Sequence, residues 1–332
     1  MRLTLSALAL TVASGLLLAP GAVALADASP ADASPADATP PVAPAPHSNA
    51  AFSFGLVADV QYWDGPAHGT RYYADSTTKL AEAAGTINAA QVDFTVQLGD
   101  LIDRDMASFD AIVPVYQQVD GPRYHVLGNH DFPVADSQTI VDRLGMASEY
   151  YDFTHQGWRF VVLDTNDISL YANAPGSPDY TQAEAMLADL RAQGAVNAQT
   201  WDGAVGPEQR AWLQATLDDA AEKGQKVIVF GHMPLHGENA HNAWDAPQVR
   251  DILESRGNVV AYFNGHDHAG RYGEVNGIHY LNLRGMVEQP YPANSYAVVT
   301  VQANKVRVDG HGSEPDRVLR VPASAREAGT GR

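Results

Sequence analysis

Short apolar runs, rich in β-branched and aromatic residues, alternate along the chain with longer segments of helical periodicity. We predict strands at 52–58, 94–98, 124–127, 160–163, 227–230, 259–263, 279–283, 296–301 and 306–308. Helices are predicted around 77–90, 107–119, 181–193, 207–223 and 246–256. Strand–helix alternation followed by a β-rich end is typical of a layered α/β or α+β fold.

The first residues of the chain do not continue this pattern. Arg2 precedes an apolar run at 3–18, and the small residues Ala24 and Ala26 follow it. This layout predicts a secretory signal peptide at 1–26. A membrane anchor is the alternative, but the run is shorter than the ~20 residues that a span needs. We therefore expect an exported protein that is secreted, periplasmic or cell-surface-associated, with no stable membrane insertion after cleavage.

Pro, Ala and Asp dominate the next segment, where ADASP-type copies recur at 26–40. Such a composition is extended and lacks the apolar residues of a core, so we predict a disordered linker at 27–50. No second Pro-rich linker interrupts 51–321. We therefore predict a single folded domain at 51–321 and a flexible tail at 322–332.

Charge and cysteine content narrow the functional classes. The formal net charge is −18, whereas a nucleic-acid binder normally carries a basic face, so no nucleic-acid partner is expected. The chain contains no cysteine, which excludes a thiol nucleophile and thiolate metal ligands. A metal site in this protein must use carboxylate, amide or imidazole side chains.

Polar side chains follow five of the predicted strands, at the end where ligands bind in open α/β sheets. They are Asp59 and Gln61, then Asp100 and Asp103, then Asn129, His130 and Asp131, then His232, and finally His266 and His268. Taken singly, such an Asp is more often a helix cap and such a His is more often structural. Their recurrence beside glycines indicates metal binding by oxygen and nitrogen donors, which suits Mn, Mg, Zn or Fe. They are too many for one ion and divide into two sites that share a carboxylate.

The order Asp-x-Gln, Gly-Asp, Gly-Asn-His-Asp, Gly-His, Gly-His-x-His resembles the calcineurin-like metallophosphoesterase superfamily over roughly 52–321. Gln61 stands where most members have His. Together with "QLGDLID", "GPEQRAWL" and "GIHYLNLRGMVE", it makes the chain most similar to the manganese-dependent ADP-ribose/CDP-alcohol diphosphatase branch. The resemblance implies a two-sheet β-sandwich flanked by helices, with 51–321 as the catalytic domain.

The resemblance also implies a role for each matching residue. The first metal is held by Asp59, Gln61 and His268, the second by Asn129, His232 and His266, and Asp100 bridges both. His130 is the acid for the leaving group. Two divalent ions are expected, with Mn preferred and Mg, Fe or Zn as alternatives. Asp202 stands where this branch is expected to carry Asn.

Several other side chains are candidates for supporting roles. Asp131 and Asp267 neighbour these histidines in sequence, and we expect them to orient imidazoles, with a solvent-facing position as the alternative. Arg71 and Arg284 are candidate phosphate partners. The expected activity is that of a secreted dimetal phosphohydrolase acting on small nucleotide-diphosphate compounds, such as ADP-ribose or CDP-alcohols. A broad phosphodiesterase or phosphomonoesterase is the alternative, and an inactive metal-binding relative is the alternative from another class.

Overall fold

The structure is a computed structural model that describes residues 51–134 and 136–322, all of which lie within one compact unit. The predicted signal peptide and linker, and the tail beyond 322, lie outside the described residues. The strands are β1 (Phe52–Val57), β2 (Phe94–Gln97), β3 (Arg123–His125), β4 (Tyr151–His155), β5 (Trp158–Val162), β6 (Val227–Phe230), β7 (Val259–Asn264), β8 (Arg271–Val275), β9 (Ile278–Asn282), β10 (Ser295–Gln302), β11 (Lys305–Gly312) and β12 (Arg317–Arg320).

Six α-helices accompany these strands in the described residues. They are α1 (Ser76–Ala89), α2 (Ala107–Tyr116), α3 (Ser137–Leu144), α4 (Pro178–Ala192), α5 (Pro207–Glu222) and α6 (Ala246–Glu254). Among them, none combines the length and the apolar character needed to cross a bilayer.

The strands form two mixed six-stranded sheets, in the orders β12-β11-β10-β1-β2-β3 and β4-β5-β6-β7-β9-β8. Strands β1, β2 and β3 are parallel in the first sheet, and β5, β6, β7 and β9 are parallel in the second. Because parallel strands end at the same edge, each sheet presents a row of carboxyl-terminal loops.

Phenylalanines from both sheets fill the space between them. Phe54 of β1 stacks on Phe94 of β2 at 5.0 Å between ring centroids. Its edge also meets Phe160, Phe230 and Phe263 of the facing sheet at 6.0, 5.9 and 6.3 Å. Helices α1, α2 and α3 pack on the outer face of the first sheet, and α5 and α6 on that of the second. The predicted two-sheet sandwich flanked by helices is confirmed.

Three strands and one helix were missed by the pattern of apolar residues. The missed strands β4, β8 and β12 are all edge strands, and their residues are largely half-buried or exposed. Edge strands carry polar side chains, which removes the apolar signal. The missed helix α3 has only 8 residues, and its clearest markers are at its ends, where Asp136 caps the start and Gly145, at φ 68°, ends it.

Candidate metal centre

Every predicted ligand lies in a loop that follows a parallel strand. The loops after β1, β2 and β3 come from one sheet and those after β6 and β7 from the other, and they meet at one cavity of about 380 Å³. The predicted residues that line it are Gln61, Asp100, Asn129, His130, His266 and His268. Arg71, Trp201 and His241 complete the lining. The other candidate phosphate partner, Arg284, is not part of it, and its guanidinium donates to the carbonyl of Ser313.

One group of ligand atoms surrounds His232. Its Nε2 lies 3.2 Å from Asn129 Oδ1, 3.2 Å from His266 Nδ1 and 3.3 Å from Asp100 Oδ2. The other ring nitrogen, Nδ1, donates to the carbonyl of Leu98 at 2.8 Å. That hydrogen bond places the proton of the neutral ring on Nδ1, so the neutral ring directs its Nε2 lone pair at the group, as a metal ligand requires.

A second group surrounds Gln61 and shares Asp100 with the first. Gln61 Nε2 lies 2.9 Å from Asp100 Oδ2 and 3.1 Å from His268 Nε2. His268 Nε2 is also 3.5 Å from Asp59 Oδ1. In each of the sets Asp100–His232–His266 and Asp59–Asp100–His268, the ligand atoms lie within 4.8 Å of one another. The structure therefore brings all the predicted ligands together, as two groups of side chains that meet at Asp100.

The donor chemistry of these residues fits two divalent cations. Gln61 Oε1 is buried without a hydrogen-bond partner. A half-turn of its terminal amide exchanges the nitrogen and oxygen positions without changing the shape of the side chain, and it directs that oxygen at Asp100 and His268. Such a set of carboxylate, amide and imidazole donors, free of thiolate, suits Mn, Mg, Fe or Zn.

The ionisable groups also show how strongly this centre favours positive charge. Burial alone would raise the pKa of Asp100, but the charges of His232 and His130 hold this pKa well below its usual range. Burial alone would likewise lower the pKa of His232, but Asp100 raises it to about 9. A proton on His232 thus neutralises the buried carboxylate in the protein alone, and cation binding would displace it.

The backbone at the ligand positions is strained. Asp59, Gln61, Asp100 and His266 have φ values of 49°, 44°, 57° and 71°, in the left-handed region that non-glycine residues rarely adopt. Each such residue costs on the order of 1–3 kcal/mol, and clusters of them are found at functional sites. One compensation is that Asp59 accepts the backbone N–H of His266 at 3.0 and 3.1 Å.

Two glycines allow loops from different strands to approach this closely. A Cβ on Gly128 would lie 2.2 Å from the backbone nitrogen of Asp100, and one on Gly265 would lie 2.6 Å from Asp59 Oδ2. Neither contact is possible for a real side chain. The glycines next to the polar motifs therefore serve close packing around Asp100 and Asp59.

His130 lies at the cavity beside the second group and is held by Asp103. Its Nδ1 is 2.5 Å from Asp103 Oδ1, and its backbone N–H donates to Asp100 Oδ1 at 2.8 Å. Burial would lower the pKa of His130, but the charge of Asp100 and the hydrogen bond to Asp103 raise it above the usual value. The imidazole is therefore oriented, and its protonated form is favoured.

Two other carboxylates orient ligand imidazoles, and neither was predicted. Asp202 Oδ1 lies 3.0 Å from His266 Nε2, and Glu288 Oε1 lies 2.7 Å from His268 Nδ1. Burial raises the pKa of Asp202 to about 9 in the protein alone, against the opposing charge of His232. Carboxylates in this position fix the ring and strengthen it as a ligand.

The expectation that Asp131 and Asp267 orient imidazoles was wrong. Asp267 accepts hydrogen bonds from Asn239 and Arg271. Asp131 accepts hydrogen bonds from backbone N–H groups. Adjacency in sequence was the basis for choosing these two residues, but a neighbour in an irregular loop points away from the histidine as readily as towards it. Glu288 is 20 positions from His268, so spacing offered no signal for it.

Asp131 instead organises the loop that carries Asp100. Its Oδ2 accepts from the backbone N–H groups of Asp100 and Gly128, both at 2.9 Å. Its Oδ1 accepts from those of Leu101 and Ile102 at 2.8 and 3.2 Å. Four buried N–H donors thus depend on one carboxylate. The Asp of the sequence "GNHD" therefore has a structural role and does not bind metal.

We expect Asp131→Asn to destabilise the fold by about 2–5 kcal/mol, because its amide NH₂ must face two buried N–H donors that then lack an acceptor. Urea unfolding followed by circular dichroism measures the effect. Asp136→Asn is the matched control, since Asn caps a helix as well as Asp does. An Asp131→Asn midpoint equal to that of the control would contradict the assigned role.

Comparison with known proteins agrees with this geometry. The family model for calcineurin-like phosphoesterases matches residues 52–270. The manganese-dependent ADP-ribose/CDP-alcohol diphosphatase of Xenopus tropicalis is 29% identical over 320 residues, covering 81% of this chain and 94% of that protein. Its namesake from Oryza sativa subsp. japonica is 30% identical over 297 residues, covering 80% and 92%. A solved dimetal phosphatase from Danio rerio superposes with a TM-score of 0.75 at 26% identity, covering 82% of this chain and 99% of that one.

Proposed function

The chain belongs to the calcineurin-like phosphoesterase family, and from that premise we propose that it hydrolyses the diphosphate linkage of nucleotide-diphosphate compounds such as ADP-ribose or CDP-alcohols. That it is a metal-dependent phosphohydrolase follows from the family and from relatives named as diphosphatases. The narrower substrate class is supported by the names of those relatives. The structural observation that carries the proposal is the pair of ligand groups joined at Asp100 on the wall of a 380 Å³ cavity.

In this proposal the two ligand groups hold two divalent cations. Asp59, Gln61 and His268 would hold the first, Asn129, His232 and His266 would hold the second, and Asp100 would serve both. Bound there, such cations supply the positive charge that attracts a phosphate and polarise a water for in-line attack at phosphorus. Mn is the proposed metal, because the relatives are named manganese-dependent and the amide of Gln61 offers a hard oxygen donor.

The protein's own groups then position the substrate and handle the proton. Asp103 holds His130 by Nδ1, so Nε2 is the ring nitrogen left to give a proton to the leaving oxygen. Arg71 has no ion pair among the described residues, so its guanidinium is available in the cavity for a phosphate oxygen. No covalent intermediate is needed, and none of the described residues is a cysteine.

A substrate panel tests the proposal. ADP-ribose and CDP-choline are compared with bis-p-nitrophenyl phosphate and p-nitrophenyl phosphate, each in Mn, Mg, Zn and Fe. We expect the two diphosphates to be cleaved fastest, with Mn, giving two phosphomonoesters from each. Turnover of the monoester alone would refute the proposal, and comparable rates throughout would favour the broad phosphodiesterase. Metal binding without turnover would identify an inactive relative.

Gln61→His should shift metal preference towards Zn or Fe by at least about 10-fold relative to Mn, because an imidazole nitrogen replaces a harder amide oxygen. Each metal is titrated in competition with a chelator, and hydrolytic activity reports how much metal the enzyme has bound. The ratio of the resulting affinities measures the shift. Gln138→His, at an exposed position of α3, is the control for adding a histidine elsewhere. An unchanged metal profile would show that Gln61 does not set the preference.

We also propose export, which rests on the sequence of residues 1–26 alone. Mass spectrometry of the protein from the cell envelope and the medium should find a mature chain that starts at Asp27. An intact chain that retains Met1 and stays in the cytosol would refute export, without bearing on the catalytic proposal.

A further inference from the structure

Lys79 of α1 is a fully buried lysine that does not line the cavity and takes no part in the chemistry described above. Its Nζ donates to three carbonyl oxygens, those of Met286, Glu288 and Gln289, at 2.9, 3.0 and 2.5 Å. These three bonds use every donor that an ammonium has. No carboxylate among the described residues forms an ion pair with Lys79, so backbone dipoles alone satisfy the buried charge directly.

The three carbonyls belong to one short stretch, the 286–289 segment, which lies against the first ligand group. The backbone N–H groups of Met286 and Val287 donate to the carbonyls of Ala58 and Asp59, both at 3.0 Å. The Glu288 carboxylate holds His268 at 2.7 Å. The segment therefore contacts the backbone of one ligand of the first group and the imidazole of another.

The same segment also fixes the loop that brings Arg71 to the cavity. Tyr72 N–H donates to the Val287 carbonyl at 2.9 Å, and Gln289 N–H donates to the Thr70 carbonyl at 2.8 Å. Gln289 itself adopts a strained φ of 62°. A stretch with this backbone strain needs external contacts to hold it, and the Lys79 ammonium supplies three of them.

We infer that Lys79 is a positioning residue of the first metal group, whose ammonium fixes the 286–289 segment so that Glu288 presents His268, and Asp59 its own carboxylate, to the cation. This inference rests on the metal centre proposed above. The inferred role is selective for one site. The 286–289 segment forms hydrogen bonds to Asp59 and His268. Within the part of the chain that the structure describes, it forms none to the residues of the second group, Asn129, His232 and His266. Loss of the ammonium should therefore weaken one metal site and spare the other.

The test is an Mn²⁺ titration of the full chain, with free Mn²⁺ followed by its six-line electron paramagnetic resonance signal. We expect the unchanged protein to bind two equivalents. In Lys79→Met, which keeps the length of the side chain without its donors, one equivalent should bind as before and the other about 10–100-fold more weakly. Adding Gln61→Ala to Lys79→Met should leave the retained equivalent unaffected, which identifies the weakened site as the first.

Two further samples separate positioning from a general loss of structure. Lys226→Met is the matched control, because Lys226 is only half-buried and its Nζ donates to a single carbonyl, that of Ala303, next to the amino end of β6. n-Propylammonium has the size of the atoms that Lys79→Ala removes. Adding it to that variant should restore the Mn²⁺ affinity of the weakened site. Tetramethylammonium, which carries charge but no N–H, should not restore it.

Each outcome decides the inference. Two equivalents at unchanged affinity in Lys79→Met, or equal weakening of both, would overturn it. If the unchanged protein bound no Mn²⁺, the proposed function would fail first, so the two failures are distinguishable. Should neither variant fold, hydrogen exchange in the unchanged protein replaces them: Mn²⁺ should slow exchange of the Val287 and Gln289 amides, and unaltered exchange would overturn the inference.

Discussion

Asp100→Asn is expected to remove high-affinity binding of both Mn²⁺ equivalents and to lower hydrolysis by more than about 10³-fold. Asp100 Oδ2 lies 2.9 Å from Gln61 Nε2 in one group and 3.3 Å from His232 Nε2 in the other. It is therefore the only side chain in both of the ligand-atom sets found among the described residues. Because loss of even an outer hydrogen-bond partner of a ligand costs about 10–100-fold, loss of the shared carboxylate should cost more.

The substitution is conservative enough to separate chemistry from folding. An asparagine at position 100 can still accept the backbone N–H of His130 through its Oδ1, as the aspartate does at 2.8 Å. Mn²⁺ titration and steady-state hydrolysis of ADP-ribose measure the two effects, and thermal unfolding checks the fold. Asp120→Asn, at an exposed position, is the control. Persistent hydrolysis with one or two bound ions would show that Asp100 does not bridge the two sites.

The sequence was most informative where packing and chemistry impose the same pattern on it. Buried strands such as β6 and β7 appear as apolar runs, and the residues that follow them must either face solvent or serve a site. His232, His266 and His268 follow such strands, so their convergence could be predicted from the topology of a parallel sheet. Gly265 could be recognised as part of the same motif. Only the structure shows why glycine is required there, because a Cβ at this position would clash with Asp59.

The supporting residues could not be predicted, because contacts that cross between loops leave no spacing in the sequence. Asp202 reaches His266 across 64 positions, and Lys79 reaches the 286–289 segment across more than 200. Asp131 shows the converse error: its position beside His130 indicated a role on an imidazole, whereas its oxygens accept four backbone N–H groups. The convergence of the candidate ligands could thus be predicted from the order of the motifs, whereas the residues that support them are found only from distances in the structure.

The strained backbone and the buried polar groups have a common explanation. Four ligand positions adopt left-handed φ values, and the amide oxygen of Gln61 has no partner in the protein. Both features cost stability in the folded protein, and both are offset when cations occupy the two groups. We therefore expect the protein to gain thermal stability on addition of Mn²⁺, by an amount that rises with the logarithm of the Mn²⁺ concentration relative to Kd.

His130→Ala should keep both Mn²⁺ equivalents and lower the rate on a substrate with an alkoxide leaving group by about 10²–10⁴-fold. The reason is that His130 touches the centre through its backbone, with its N–H on Asp100 Oδ1, while its ring is held away by Asp103. An alanine retains that backbone contact. The variant lacks only the imidazole that protonates the leaving oxygen. The ions should therefore stay bound, while cleavage of the bond to phosphorus becomes slower.

The dependence on leaving group distinguishes an acid from a ligand. An alkoxide leaving group needs a proton, whereas p-nitrophenolate leaves without one, so His130→Ala should lose far less on bis-p-nitrophenyl phosphate than on an alkyl phosphodiester. His241→Ala removes another imidazole from the same cavity and should affect both substrates alike. Asp103→Asn should show the His130→Ala selectivity in weaker form, because the ring remains but loses its anchor. Loss of an Mn²⁺ equivalent in His130→Ala, with equal losses on both substrates, would instead make His130 a ligand.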